Sequence, residues 1–335
     1  MIKIAVNGFG RIGRCFTRAA HAAGVDFEIV AVNDLGSLEN LAYLLKYDTV
    51  YRKAPFSVGV KDGGLLIDGK NVAFSQEKEL AKLPWGKLGV DIVVESTGAF
   101  TDPAKAKGHL DVGAKRVVIS APAKGDGAET ILIGANEDKF GVGVITSNAS
   151  CTTNAASPLI GILDEAIGIE KALLNTTHGY TASQSLVDGP KDKDWKEGRS
   201  AAQNIVPTST GAAKATALAY PQLAGKFDGI SLRVPVAAGS MVDVTFVAKK
   251  ATTVKEVNAA LKAAATNARW KKVFAVTEEE LVSSDILGEP YGAIADLNLT
   301  RVVDGNLVKV MAWYDNEMGY AHTLVQHVLQ AGKNL

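Results

Sequence analysis

Short apolar runs alternate with helical periodicity through the first half of the chain. IKIAV (Ile2–Val6), FEIVAV (Phe27–Val32), DIVVES (Asp91–Ser96), KRVVIS (Lys115–Ser120) and TILIGA (Thr130–Ala135) are mostly continuous in apolar residues. That is the pattern of parallel strands covered on both faces. Between them, RIGRCFTRAAHAA and DPAKAKGHLDVGA carry helical spacing, the second with Asp102 as N-cap and Pro103 at the first position. Strand and helix in repetition predict a doubly wound α/β domain. VKDGGLLIDGKNVAF contains two Asp–Gly turns and predicts an antiparallel hairpin appended to that sheet.

The pattern changes after Cys151. Thr152–Ile167 reads as one helix, followed by longer β-rich runs at Ala172–Thr177, Gly229–Pro235, Met241–Ala248 and Leu307–Trp313. SMVDVTFVAKK alternates in polarity, as a strand with one exposed face does. VKEVNAALKAAATNA is an amphipathic helix, and the segment from Gly319 to about Gln330 is helical again. These features predict a second, α+β domain on a mainly antiparallel sheet, with residues 1–149 forming the first domain and 150–315 the second. Residues 180–210 are polar and make an unusually long connection, a kind of loop that tends to be functional.

Composition narrows the function. A length of 335 residues suits two domains, and Lys+Arg and Asp+Glu both total 36. With no net charge there is no bulk field to attract nucleic acid or an anionic membrane, so any anionic ligand must be held by local groups. MIKIAVNGFG lacks the basic and apolar regions of a secretory signal, and no window approaches about 18 uninterrupted apolar residues. Two cysteines make neither a disulfide framework nor a metal cluster, so a reducing, cytoplasmic setting is expected, with no metal.

NGFGRIG places Gly8, Gly10 and Gly13 in the G-x-G-x-x-G spacing directly after a strand and at the start of a helix. The next strand ends in Asn33–Asp34, about 20 residues beyond the last glycine, which completes the context of a Rossmann dinucleotide fingerprint. Gly8 would make the tight turn, Gly10 would let a pyrophosphate approach, and Gly13 would permit close helix–strand packing. Asp34 would accept from the ribose hydroxyls and repel a 2′-phosphate, favouring NAD over NADP. The plain alternative is a tight βα turn with an acidic strand end.

SNASCTTNA surrounds Cys151 with cap-forming residues at a helix start, a location that lowers a thiol pKa. Cys15 lies among Ile12, Phe16 and Ala19 and reads as packed core. A nucleophilic thiol needs a base. Of five histidines, His178 alone ends an apolar β-run at the start of the long polar loop. From the residues themselves, structural and catalytic roles for it weigh equally.

Taken together, NGFGRIGR, SNASCTTN, HGYT, the TSTGAAKA run, SLRVPV and WYDNEMGY resemble the phosphorylating glyceraldehyde-3-phosphate dehydrogenase family from one end of the chain to the other. The resemblance implies Cys151 as nucleophile and His178 as its base. It implies that Ser150, Thr152, Thr210 and Gly211, joined by Arg199, hold the attacking inorganic phosphate. Thr181 and Arg233 would hold the substrate's own phosphate. Arg11, Ile12, Asp34, Thr97, Ser120 and Asn316 would contact NAD, with Asn316 orienting the nicotinamide amide. It further implies glyceraldehyde 3-phosphate and inorganic phosphate as substrates in glycolysis and gluconeogenesis. A homotetramer is implied too, with a C-terminal helix (316–335) that returns to the nucleotide domain. Read without the family, Arg233 could be a sheet-face ion pair and Thr210 a helix cap.

The chain departs from the family pattern in places. Ala155 stands where a second cysteine is common, YDTVYRKAP lacks the usual His–Gly, and LGEPYG (Leu287–Gly292) is unusual. Rival readings are erythrose-4-phosphate dehydrogenase, which the STGAAKA run fits less well, and a catalytically idle binding homologue, against which the intact Cys151, His178 and Arg233 speak.

Overall fold

The computed structural model describes all 335 residues, and contacts between backbone positions divide them into two compact units. One unit comprises Met1–Leu132, Asn136–Ser150 and Ala321–Leu335; the other comprises Ile133–Ala135 and Cys151–Tyr320.

The first unit is built on a nine-stranded sheet. Its strands are β1 (Ile2–Asn7), β2 (Phe27–Asn33), β3 (Val58–Lys61), β4 (Gly64–Ile67), β5 (Lys70–Ser75), β6 (Ile92–Glu95), β7 (Arg116–Ile119), β8 (Glu129–Thr130) and β9 (Ile145–Ser147), in the order β8-β9-β7-β6-β1-β2-β5-β4-β3. From β8 to β5 every pairing is parallel, whereas β5-β4 and β4-β3 are antiparallel. The continuous apolar runs explain the parallel part: Ile4, Ala5, Val6, Ile92, Val93, Val94, Val117 and Val118 are all inaccessible to solvent. The Asp–Gly turns at Asp62–Gly63 and Asp68–Gly69 have positive φ at both residues, the geometry a tight hairpin requires, and they fold the 58–75 segment into a three-stranded meander rather than a single hairpin. TILIGA is strand only at its first residue. Beyond Thr130, the Asn136 side chain accepts from Leu132 N–H and donates to the Thr130 carbonyl, and Gly134 takes φ 83°, so the chain turns instead of extending. The predicted helix after Asp102 is likewise broken in two, at Pro103–Ala106 and Gly108–Asp111.

The second unit opens with a helix, Cys151–Ala166, and carries an eight-stranded mixed sheet. Its path runs through β10 (Ile169–Gly179), β11 (Val206–Ser209), β12 (Phe227–Val234), β13 (Ser240–Ala248), β14 (Phe274–Thr277), β15 (Ala293–Asp296) and β16 (Leu307–Tyr314), in the order β11-β12-β10-β13-β16-β15-β14. The eighth strand, Arg301–Val303, pairs with β16 off this path, and only β10-β12 and β14-β15 are parallel, so the sheet is mainly antiparallel. Alternation along β10 buries Ala172, Leu174, Thr176 and His178 on one face and turns Lys171, Leu173 and Thr177 outward. The amphipathic helix Val254–Thr266 starts on a capping box formed by Thr253 and Glu256. No helix is long and apolar enough to cross a membrane.

The YDTVYRK departure has a backbone consequence. Tyr47–Asp48 pairs with Arg52–Lys53 across a tight turn, and Arg52 is held there at φ 60° with its side chain exposed. A left-handed conformation costs a side-chain-bearing residue about 1–2 kcal/mol, part of which a glycine returns through its freer unfolded state. Arg52→Gly should therefore stabilise the fold by about 0.5–1 kcal/mol. Chemical denaturation of the two proteins side by side checks this, and an equal or lower midpoint for the variant would contradict it.

Candidate functional site

The two regions of interest are built by different units. In the first unit, Gly8 turns the chain after β1 at φ 91°, and a Cβ there would lie 2.6 Å from Ser96 C and Thr97 N. At Gly13 a Cβ would lie 2.3 Å from the Gly8 carbonyl oxygen, so that position is closed by helix–strand packing. Gly10 is different: a Cβ there meets nothing within 4 Å, and no side chain caps the helix Arg11–Ala23 that it begins. Open space in front of uncapped N–H groups suits an anion such as a pyrophosphate. The backbone amides of Arg11 and Ile12 lie in that first turn. The Arg11 guanidinium is committed elsewhere, to a half-buried ion pair with Asp48 and against the Tyr51 ring. Asp34 accepts from Phe9 N–H at 2.6 Å and Gly36 N–H at 2.8 Å, which fixes the carboxylate beside the glycine turn with acceptor capacity left for hydroxyl donors. Thr97 and Ser120 both bond to Glu95, Thr97 to its carboxylate and Ser120 to its carbonyl.

In the second unit, Cys151 is the first residue of its helix and His178 lies near the end of β10. Cys151 Sγ is 3.4 Å from His178 Nε2. Two groups meet at His178 Nδ1 and pull toward opposite tautomers: the Gly179 carbonyl, 2.6 Å away, can only accept and favours a proton there, whereas the Arg233 guanidinium can only donate. Arg233, from β12, brings Nη1 to 2.5 Å from the same Nδ1, while its Nε is buried without a partner. Register makes this contact, because His178 and Arg233 are directly paired residues of parallel strands.

Electrostatics here differ from the sequence expectation of a depressed thiol pKa. Burial pushes the Cys151 thiol up, against the opposing pull of the Arg233 charge and of Thr152 hydrogen bonds. Burial, with the Arg233 charge adding to it, depresses the His178 imidazole to about 3. The pair therefore rests neutral, with the proton on sulfur and Nε2 as the ring nitrogen that faces it.

Sequence reasoning missed the brace behind this pair. Tyr314, at the end of β16, is buried with its hydroxyl 2.9 Å from Thr152 Oγ1 and 2.7 Å from Thr176 Oγ1, and its ring meets His178 edge-on at 5.9 Å. Thr152 follows the thiol and Thr176 precedes the imidazole by two residues on the same face, so one phenol ties both carriers together. The only signal was its place in WYDNEMGY. Burial pushes the phenol up as well, so it stays neutral.

The other candidates are dispersed along the chain. Asn316 is buried, and its Oδ1 accepts from Gly239 N–H and Ser240 Oγ, leaving its amide N–H groups to donate. Thr181 Oγ1 lies 3.0 Å from Ser183 Oγ. Thr210 Oγ1 accepts from Ala212 N–H at the start of the helix Ala212–Ala219, the cap reading, with Gly211 exposed beside it. Arg199 is exposed and paired with Asp188 at 2.8 Å within the polar loop; no bond joins it to Cys151 or His178. Ser150 directly precedes the thiol, after Ala149 at φ 52°.

Two family profiles match the chain: residues 2–103 match the glyceraldehyde 3-phosphate dehydrogenase NAD binding domain, and residues 150–316 match the C-terminal domain of the same family. A glyceraldehyde-3-phosphate dehydrogenase of Streptomyces coelicolor is 48% identical over 336 residues, covering 100% of this chain and 99% of the relative. The enzyme of the same name from Mycobacterium tuberculosis (H37Rv) is 50% identical over 341 residues, with the same coverage.

The Arg233 contact predicts a pH effect. An anion bound by Arg233 neutralises the positive charge beside the ring, which favours the imidazolium, so the His178 pKa should rise from about 3 when a phosphate monoester such as glycerol 3-phosphate binds there. Imidazole ¹⁵N NMR titration with and without glycerol 3-phosphate measures this. A titration unaffected by the saturating monoester would contradict it.

Proposed function

Because the chain belongs to the glyceraldehyde-3-phosphate dehydrogenase family, we propose that it oxidises glyceraldehyde 3-phosphate with NAD⁺ and inorganic phosphate to 1,3-bisphosphoglycerate, with Cys151 as nucleophile and His178 as base. The observation that carries the residue assignment is the 3.4 Å approach of the thiol to a neutral imidazole.

The first unit fits NAD: an open Gly10 at an uncapped helix start for the pyrophosphate, and Asp34 for the adenosine ribose. Asn316 would donate its amide N–H to the nicotinamide carboxamide. When bound, NAD⁺ supplies the two-electron acceptor for the hydride.

The protein's own residues do the rest. In the tautomer that the Gly179 carbonyl favours, His178 Nε2 takes the thiol proton as Cys151 adds to the aldehyde carbon and delivers it to the former carbonyl oxygen, giving a hemithioacetal and a neutral imidazole again. The imidazole then stands within reach of the hemithioacetal hydroxyl, whose proton must leave as that carbon is oxidised. The product, a thioester on Cys151, keeps the oxidation energy in an acyl bond that phosphate can attack. Arg233, with its buried and unpartnered Nε, would hold the substrate phosphate together with Thr181. Ser150, Thr152, Thr210 and Gly211 would receive inorganic phosphate near the acyl carbon. Arg199 would have to leave Asp188 to join them.

A homotetramer in the cytoplasm completes the proposal. The outward face of the second sheet supports self-association, since Leu173 is 66% and Ile230 57% exposed on it, with Leu307 alongside.

NADH formation from glyceraldehyde 3-phosphate tests the reading. It should depend on inorganic phosphate, fall by at least about 10⁴ in Cys151→Ser, and fall by about 10²–10⁴ in His178→Asn. Full activity in Cys151→Ser, or a clear preference for erythrose 4-phosphate, would overturn it.

A further inference from the structure

Side chains that no strand ladder requires join the C-terminal ends of β1, β2 and β6. Glu95, the last residue of β6, has a side chain only 1% exposed. Its Oε2 accepts from Asn7 Nδ2 at 2.6 Å and from His109 Nε2 at 3.0 Å; its Oε1 accepts from Thr97 N–H at 2.8 Å and from the Thr97 hydroxyl. Proton positions follow from the partners. The Trp85 indole N–H can only donate, and it lies 3.0 Å from His109 Nδ1, so the ring proton sits on Nε2, facing Glu95. On the other side Asn33 Nδ2 donates to Asn7 Oδ1 at 2.7 Å, while Asn33 Oδ1 accepts from Glu77 N–H at 2.9 Å, which sets both amides. Both arms of this chain, Trp85–His109 and Asn33–Asn7, converge on one carboxylate.

Burying a carboxylate is costly, and filling its four acceptor positions at best offsets the cost; apolar packing of the same volume would serve stability as well. The explanation lies in what Glu95 holds. Its carbonyl accepts from Ser120 N–H at 2.9 Å and from Ser120 Oγ at 3.0 Å. Its carboxylate fixes Thr97, whose backbone is the surface against which the turn at Gly8 closes, and Ser96 Oγ donates to the Gly8 carbonyl at 2.7 Å. Dinucleotides bind outside the carboxyl ends of such strands.

We propose that Glu95, oriented by His109 and Asn7, is a positioning residue for NAD: it holds the Gly8 turn, Thr97 and Ser120 in the binding arrangement before the cofactor arrives. Preorganisation of this kind lowers the ordering cost of binding and leaves the thiol chemistry untouched. The inference rests on the reading that NAD lies across these strand ends.

Glu95→Gln keeps the shape and turns one acceptor into a donor facing donors. The NAD⁺ dissociation constant, by titration calorimetry on the full-length protein, should rise at least about tenfold, matching one buried unsatisfied contact. At saturating NAD⁺, kcat and the KM for glyceraldehyde 3-phosphate should stay within about threefold of wild type. His109→Gln, which keeps a donor toward Glu95 but loses Trp85, should weaken NAD⁺ binding in the same direction by about threefold, and it decides the matter if Glu95→Gln does not fold. Wild-type NAD⁺ affinity per folded chain in these variants, with only a lower melting temperature, would overturn the proposal and leave a structural brace. Gly10→Val separates the underlying reading: Gly10 has φ −69° and open space, so valine is tolerated by the backbone but would project into the pyrophosphate position. If Gly10→Val abolishes NAD⁺ binding while the Glu95 and His109 variants bind normally, only the positioning role fails; if Gly10→Val also binds normally, the location of NAD itself is wrong.

Discussion

The proposed chemistry depends on one contact, a thiol and an imidazole 3.4 Å apart where neither can easily carry charge alone. Burial raises the thiol and depresses the imidazole, so the proton waits on sulfur until a carbonyl carbon offers the electrons somewhere to go. Such a pair is useful only if its distance is fixed. Cys151 is fixed by the first turn of a helix, His178 by a strand paired on both edges, and Tyr314 binds the neighbours of each through a single hydroxyl. The parallel register of β10 and β12 then delivers Arg233 to the far nitrogen of the same imidazole. The charge that suppresses the imidazole's basicity in the free protein is also the group proposed to hold a substrate phosphate, so the proposal couples binding and basicity through one side chain.

The nucleotide unit works by a different device, backbone geometry. Gly8 and Gly13 are closed by contacts that a Cβ would violate, while Gly10 faces open space. Asp34 links the glycine turn to the end of β2, and Glu95 gathers the ends of β1 and β6 with Thr97 and Ser120. Charge is thus used sparingly and locally in a chain of zero formal net charge.

Features that repeat along the chain were legible in the sequence. The continuous apolar runs specified the parallel sheet, alternation specified the faces of β13, and the glycine spacing with its flanking strand and helix specified the tight turn after β1. TILIGA failed because an asparagine side chain six residues after the strand captures its backbone, a local competition that periodicity does not register. The thiol's environment was misjudged for a related reason: a helix start is visible in SNASCTTNA, whereas its burial and the nearby guanidinium come from strands dozens of residues away. Tyr314, Glu95 and His109 escaped for the same cause, since each acts through partners distant in sequence. Arg199 shows the converse, a residue marked by resemblance whose guanidinium is engaged with Asp188.

The most direct test of Cys151 as the covalent centre is mass spectrometry of the protein incubated with glyceraldehyde 3-phosphate and NAD⁺ in the absence of phosphate. A 3-phosphoglyceroyl thioester should accumulate on the peptide that contains Cys151 and disappear when inorganic phosphate is added. An adduct on Cys15, or no adduct while NADH is still formed, would contradict the account.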